Sequence, residues 1–152
     1  MREILFRGKL HFNNKWVYGS LIQTKNKDNV NCTIIGENIW SDVDSKTVGQ
    51  YTGLIDKNCT MIFEGDIVDL FVFCGEVVQI NGAFGIKAFI NYDYLTSEIE
   101  GITGCNNYPA FCENDNFVSL WELMWNYNQE ENCCGVVEVI GNIHDNPELL
   151  EV

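Results

Sequence analysis

The chain has 152 residues, 46% of them hydrophobic, and a formal net charge of −13 at pH 7. This length suits one domain, or one domain with a smaller appendage, and the apolar content is enough for a core that does not depend on disulfides. No run of about 18 apolar residues is present, which excludes a predicted membrane-spanning helix.

The first residues of the chain, MREILFRGKL, lack the apolar region and the small-residue cleavage site of a secretory signal peptide. We therefore expect the chain to stay in the compartment where it is made. Seven cysteines are present, an odd number. In an unexported chain of this size we expect them to be reduced thiols rather than a disulfide framework.

Charge is distributed unevenly along the chain. Residues 1–27 hold six of the nine Lys and Arg against a single acid, Glu3, whereas residues 88–152 hold twelve acids and no Lys or Arg. This pattern argues against a simple nucleic-acid binder, which needs an extended basic face. It leaves open head-to-tail self-association, an acidic surface that imitates DNA, and a surface charged only for solubility.

Residues 1–60 are predicted to form an N-terminal β extension. Apolar and aromatic residues at 3–7 and 15–22 predict a hairpin, followed by a loop at 24–31 and short strands at 32–35 and 37–40. A further extended or single-turn segment covers 47–54. There, Gln50 and Tyr51 are flanked by glycines, and two interpretations stay open: the segment presents both side chains to a partner, or the glycines only turn the chain back.

Residues 61–152 are predicted to form a small SH3-like β-barrel. It begins at Met61–Phe63, turns at Gly65-Asp66, and continues as a strand at 67–73. Gly65 can supply a positive φ, and the Asp66 carboxylate can accept a backbone N–H. Asn81-Gly82 lies between β-rich segments at 75–80 and 83–90 and predicts a type I′ hairpin.

A loop and helix inserted at 91–128 interrupt this predicted barrel. Residues 91–116 predict a long loop, and 117–128 one amphipathic helix, because apolar residues recur there at helical spacing. Trp121 and Trp125 share one face of that helix. They either pack onto the barrel or form a subunit interface. A final strand follows at 135–141, then a turn at 142–147 and a closing helical turn at 148–152.

His144 and Asp145 are the first residues to consider for catalysis, because a carboxylate adjoins one of only two histidines. Adjacent side chains point apart, however, and no nucleophile is recognisably paired with them. We favour a tight turn at Asn142–Asn146, held by side-chain caps. A hydrolase that uses His144 and Asp145 is the least favoured function.

Metal binding has little support in the sequence. There is no Cys-x-x-Cys, Cys133 and Cys134 are too close to act as an ordinary ligand pair, and Cys105 and Cys112 have no histidine nearby. We expect no metal site and no cofactor. Buried small side chains are the better interpretation for most of these cysteines.

Three stretches together resemble the YopX family of bacteriophage and prophage proteins. They lie at 4–21, 47–68 and 138–150, and they include Gly49-Gln50-Tyr51-Thr52-Gly53, Phe63-Glu64-Gly65-Asp66 and Ile143-His144-Asp145-Asn146-Pro147. The resemblance implies a small SH3-like barrel with an added N-terminal part, a phage or prophage origin, a cytoplasmic location in the bacterial host, and homo-oligomers. It implies no activity, because no biochemical function is established for the family.

The sequence therefore favours a phage-encoded accessory protein that is not an enzyme and acts by protein–protein contact as a homo-oligomer. The alternative is an accessory to phage DNA metabolism or recombination. Such a protein would contact single-stranded DNA through the basic hairpin and the barrel aromatics, or bind a DNA-handling protein as an acidic mimic of DNA.

Overall fold

The computed structural model describes residues 3–27, 29–70, 73–89, 117–127 and 132–150. The chain forms two compact units, an N-terminal unit (Met1–Gly53) and a C-terminal unit (Leu54–Val152). The sequence placed a boundary after residue 60. Strand β5 (Gly49–Asp56) begins in the first unit and ends in the second.

The N-terminal unit is an antiparallel sheet with the strand order β5-β1-β2-β3-β4. The predicted loop at 24–31 is shorter than expected, because Thr24 and Lys25 pair with Asn31 and Val30 in a continued ladder. The polar side chains at these positions did not predict strands, but the backbone hydrogen bonds of the ladder extend both strands through them. The remaining strands are β1 (Phe6–Lys9), β2 (Trp16–Lys25), β3 (Val30–Ile35) and β4 (Trp40–Val43), and a 3-10 turn follows at Ser45–Thr47.

One face of this sheet carries the core of the N-terminal unit. Successive side chains of a strand point to opposite faces, so alternate residues of β3 and β4 enter the core. Its fully buried members are Cys32, Ile34 and Val43, and partly buried side chains pack against them: Phe6, Leu10, Val17, Leu21 and Val48. The opposite face of the sheet carries none of these core residues.

The C-terminal unit contains a five-stranded antiparallel sheet with the order β10-β9-β8-β7-β12. A short strand, β11, runs parallel to the end of β5. The elements are β6 (Met61–Phe63), β7 (Asp66–Asp69), β8 (Cys74–Ile80), β9 (Ala83–Ala88), β10 (Phe117–Ser119), α1 (Leu120–Tyr127), β11 (Cys133–Cys134) and β12 (Glu138–Asn142), with a 3-10 turn at Pro147–Leu150.

The turns predicted at Gly65-Asp66 and at Asn81-Gly82 are confirmed. Gly65 has a φ of 81°, and Asp66 Oδ2 accepts the Phe63 N–H at 2.7 Å. Asn81 and Gly82 have φ values of 51° and 83° and join β8 to β9, as a type I′ hairpin requires. Asp66 is buried in this arrangement, so its carboxylate serves the local architecture.

A single core fills the C-terminal unit. It collects buried side chains from the five-stranded sheet, from α1 and from β11, including Val68, Val77, Ile86, Leu120, Leu123 and Cys134. The helix is therefore anchored by its buried residues rather than by its own length, since eight residues are too few for a helix to be stable alone in water.

Two parts of the predicted fold are wrong. The fold is mainly β as expected, but in the part of the chain that the structure describes neither sheet closes into a barrel, so the SH3-like barrel is not found. The predicted amphipathic helix over 117–128 is not found at that length either. Phe117–Ser119 instead pairs with β9 as a strand, which leaves eight residues for α1.

The predicted loop at 91–116 lies outside the described residues. Within the residues that are described, no helix is both long enough and apolar enough to cross a membrane.

Candidate functional site

Four apolar side chains lie together on the sheet face of the N-terminal unit that is opposite the core. Ile35 of β3 is directly opposite Trp40 of β4 and opposite Ser20 of β2. Tyr18 and Ile22 flank Ser20 two residues to either side, on the same face of β2. Strand register thus assembles an outer patch, defined here as Tyr18, Ile22, Ile35 and Trp40.

This outer patch is open to solvent. Trp40 is 72% exposed and Tyr18 is 49% exposed, while Ile22 is also exposed and Ile35 is half-buried. Single exposed apolar residues are ordinary on protein surfaces, but neighbouring ones rimmed by polar groups mark interaction sites. Tryptophan and tyrosine are also among the residues most enriched where proteins meet.

Beside the outer patch, two cations lie over one tryptophan ring. The Arg7 Cζ atom is 4.6 Å from the centroid of the Trp16 ring, and the Lys9 Nζ atom is 5.3 Å from it. Lys9 is opposite Trp16 in the ladder between β1 and β2, and Arg7 is opposite Tyr18. The cluster therefore shares the outer face with the patch, and each cation over the ring contributes about 0.5–1 kcal/mol or more.

The two cations differ in accessibility. Arg7 is only 7% exposed, whereas Lys9 is half-buried. Lys9 is thus the more accessible of the two cations. Sequence reasoning missed this cluster, although the alternation of Arg7 and Lys9 in one strand and of Trp16 and Tyr18 in the next was visible.

Gln50 and Tyr51, predicted to face a partner, lie in the strand β5. The Tyr51 N–H donates to the Leu5 carbonyl at 2.8 Å, and the Tyr51 side chain is buried. Burial raises the pKa of Tyr51, and the charge of Glu3 raises that pKa further. Gln50 pairs with Phe6 and is half-buried. A binding role for the two residues stays a prediction.

His144 and Asp145 lie in a tight turn that Asn142 organises. Asn142 Oδ1 accepts the backbone N–H groups of His144 and Asp145, each at 3.0 Å, and Asn142 Nδ2 donates to Asp145 Oδ2 at 2.9 Å. These contacts are the side-chain caps expected of a turn. The Asp145 carboxylate therefore accepts a hydrogen bond from Asn142 within the turn.

Trp121, the predicted interface residue, projects from the helix α1. It is 61% exposed, while Leu120, Leu123 and Met124 of the same helix are buried. The indole thus does not pack into the core of its unit. The side chain of Trp125 lies outside the described part of the structure.

The described cysteines are free thiols, two of them with raised pKa values. Burial, with a further contribution from the neighbouring Cys133, raises the pKa of Cys134 to about 12. Burial also raises the pKa of Cys74, with added contributions from the charge and the hydrogen bond of Asp69. In the described residues no group of three or more His, Cys, Asp or Glu could hold a metal ion. Cys105 and Cys112 lie outside them.

A polar cavity of about 540 Å³ in the N-terminal unit contains a histidine that sequence reasoning passed over. His11, Asn31, Thr33, Asp42 and Ser45 are among the residues that line it. Thr33 Oγ1 donates to Asp42 Oδ1 at 2.8 Å, so the carboxylate already has a partner across β3 and β4. The cavity offers hydroxyl and amide groups but little positive charge.

Comparison with known proteins identifies the family. The model of the family described as YopX protein matches residues 5–151, nearly the whole chain. The chain belongs to the YopX family. This confirms the resemblance of the three stretches quoted above.

The other comparisons add no activity. The structure is similar to the crystal structure of protein EF1440 from Enterococcus faecalis, with 19% sequence identity, coverage of 99% of each chain and a TM-score of 0.47. No curated protein matches the chain.

Proposed function

We propose that this member of the YopX family is a non-enzymatic accessory protein of a phage or prophage, acting by protein–protein contact in the cytoplasm of the bacterial host. One observation carries the proposal: each unit presents a largely exposed tryptophan, Trp40 at 72% and Trp121 at 61%. A buried indole at an interface is among the strongest contributors to binding between proteins.

Self-association is proposed to use α1. Leu120, Leu123 and Met124 anchor this helix in the core, so Trp121 is presented from a support that is already ordered. An ordered anchor lowers the entropy cost of binding.

Side-chain chemistry supports the non-enzymatic part of the proposal. A thiol with a pKa of about 12, such as Cys134, is protonated at neutral pH and is a weak nucleophile. His144 and Asp145 bond through their backbone to Asn142, which gives them a role in shaping the turn.

Size-exclusion chromatography with light scattering tests self-association. The wild-type protein is expected to have a mass above the 17.4 kDa of one chain. Trp121→Ser is expected to dissociate it, because loss of a central tryptophan costs about 2 kcal/mol or more. Trp40→Ser, which removes a similarly exposed indole from the other unit, is the matched control and should keep the wild-type mass.

A wild-type protein that stays monomeric as its concentration rises would contradict the homo-oligomer. The non-enzymatic part has its own test, a screen against generic ester and phosphoester substrates. Turnover that is present in the wild type and lost in His144→Ala would establish the hydrolase instead.

A further inference from the structure

We infer that the outer patch and Lys9 together form a docking surface for a peptide segment of another protein, acidic at one end and apolar at the other. The inference rests on the proposal that the protein acts by protein contact. It names the chemistry of a partner and uses a surface separate from Trp121.

The dimensions of the face define the length of the segment. Lys9 is on β1 and Trp40 on β4, three strand spacings apart in the order β1-β2-β3-β4. Each spacing is about 4.8 Å, which separates the two residues by about 14 Å across the strands. Lys9 is opposite Trp16, whereas Trp40 is in the row of Ser20, four residues further along β2, which adds about 13 Å along the strands. The diagonal between them is therefore about 19 Å, which about six residues of extended peptide span.

The order of charges across the face defines the polarity of the segment. Positive charge lies on β1, where Arg7 and Lys9 approach Trp16. A carboxylate on the same face, that of Asp42, lies on β4 two residues after Trp40. Acidic side chains of a ligand are therefore attracted over β1 and repelled over β4, while Trp40 and Ile35 favour apolar side chains there.

A nucleic acid suits this face less well. Phosphates recur at every nucleotide, and a chain with a net charge of −13 opposes each of them, whereas a short acidic block presents few charges. Bases stack on aromatic rings, but Ile22 and Ile35 lie within the patch and offer no ring. Aliphatic and aromatic side chains of a peptide pack against both kinds of residue.

A second copy of the chain is also disfavoured as the ligand. The acids of the C-terminal unit with described side-chain contacts already bond within that unit: Glu138 to Lys57, Asp145 to Asn142, and Glu148 to Asn146. Binding to another copy would break these hydrogen bonds and ion pairs within the C-terminal unit, which costs free energy. A different protein with an unstructured acidic segment pays no such cost.

Fluorescence anisotropy of a labelled peptide tests the inference. The probe has a glutamate block followed by a leucine–phenylalanine block, and its counterpart has glutamine in place of glutamate. The wild-type protein is expected to bind the glutamate peptide more tightly than the glutamine peptide, with the difference shrinking as salt is added.

The same peptides are then measured with two variants that change residues of the docking surface and two control variants that change residues outside it. Trp40→Ser is expected to weaken binding about tenfold or more. Lys9→Gln should remove the preference for glutamate over glutamine. Trp121→Ser and Lys46→Gln, which change an exposed tryptophan of the other unit and an exposed lysine off the face, should bind as the wild type does.

Failure of this inference is distinguishable from failure of the proposed function. If the glutamate peptide does not bind while light scattering shows an oligomer, the inference is wrong and the proposed function stands. Binding of labelled single-stranded DNA that Trp40→Ser abolishes, with no peptide binding, assigns the face to nucleic acid. An oligomer that dissociates in Trp40→Ser assigns it to a second copy.

Discussion

Asp56 bonds to Val139, a residue 83 positions later in the chain. The Asp56 Oδ2 atom accepts the Val139 backbone N–H at 2.9 Å, while Oδ1 accepts the N–H groups of Asn58 and Thr60, each at 2.8 Å. One buried carboxylate thus shapes the turn after β5 and fixes the start of β12 against it. Carboxylates that accept backbone N–H groups form the stronger class of protein hydrogen bonds.

Asp56→Ala is expected to destabilise the C-terminal unit by about 3 kcal/mol, because three backbone donors lose their charged acceptor. Urea denaturation and amide hydrogen exchange at Val139 measure the loss. Asp42→Ala, which removes an exposed carboxylate with one bond to Thr33, is the control and should change stability by about 0.5 kcal/mol or less. Equal losses in the two variants would contradict the role given to Asp56.

The pKa of Glu138 is expected to respond to Lys57. The hydrogen bond from Lys57, with the charge of Lys57 and a bond from Asn58, holds the pKa of Glu138 below its ordinary value of 4.5. A lowered folded-state pKa stabilises the fold above the ordinary value, and this contribution is lost as the pH falls through the folded-state pKa.

Lys57→Met is therefore expected to raise the pKa of Glu138 toward 4.5 and to remove the contribution of the pair at neutral pH. A carbon-13 NMR titration of the Glu138 carboxyl measures the change. Lys46→Met removes a lysine that is not paired with Glu138 and should leave the titration unchanged. An unaltered Glu138 pKa in Lys57→Met would sink the prediction.

Thiol reactivity should separate Cys59 from Cys134. Cys59 is exposed, whereas Cys134 is fully buried with a pKa raised to about 12. At pH 8 iodoacetamide is expected to modify Cys59 well before Cys134, because only the thiolate reacts and burial blocks access. Fragmentation mass spectrometry of peptides cut after glutamate follows both sites, because the chain has no Lys or Arg after Lys87 and Glu131 and Glu138 flank Cys134. The difference should disappear in guanidinium chloride, and equal rates in the native protein would count against the buried position.

Local turns could be predicted from the sequence because their chemistry is local. Asn81-Gly82 needs only two residues that tolerate positive φ, and Gly65-Asp66 needs one such residue and a carboxylate within reach. The hydrogen bond from the Val139 N–H to Asp56 could not be predicted, because the two residues are 83 positions apart and no local sequence pattern at either one indicates the pairing. The same holds for β11, where only two residues pair with β5.

The predictions of a barrel and of a long helix were wrong for related reasons. A series of strands with tight turns is compatible with open and closed sheets alike, and closure depends on the shear and tilt of every strand. At 117–119 the helical spacing of apolar residues competed with pairing to β9, and pairing prevailed. Tertiary contacts decide such short segments more often than intrinsic propensity does.

The outer patch was only half visible in the sequence. Its aromatic members stand out in composition, and the basic hairpin was predicted to be a contact surface only in the alternative function, as a site for single-stranded DNA. Their assembly depends on Ser20 facing Ile35 and Ile35 facing Trp40, and a shift of one residue would have sent these side chains to the opposite face.

The strand order also affects how the protein folds during synthesis. The N-terminal unit has its whole core within the first 53 residues, so it can complete folding while the rest of the chain is still being translated. The C-terminal unit cannot, because β7 needs β12 as its sheet neighbour and Asp56 needs Val139. Strand β7 therefore has an open edge until residues 138–142 leave the ribosome, and truncated chains that end before them should aggregate through that edge.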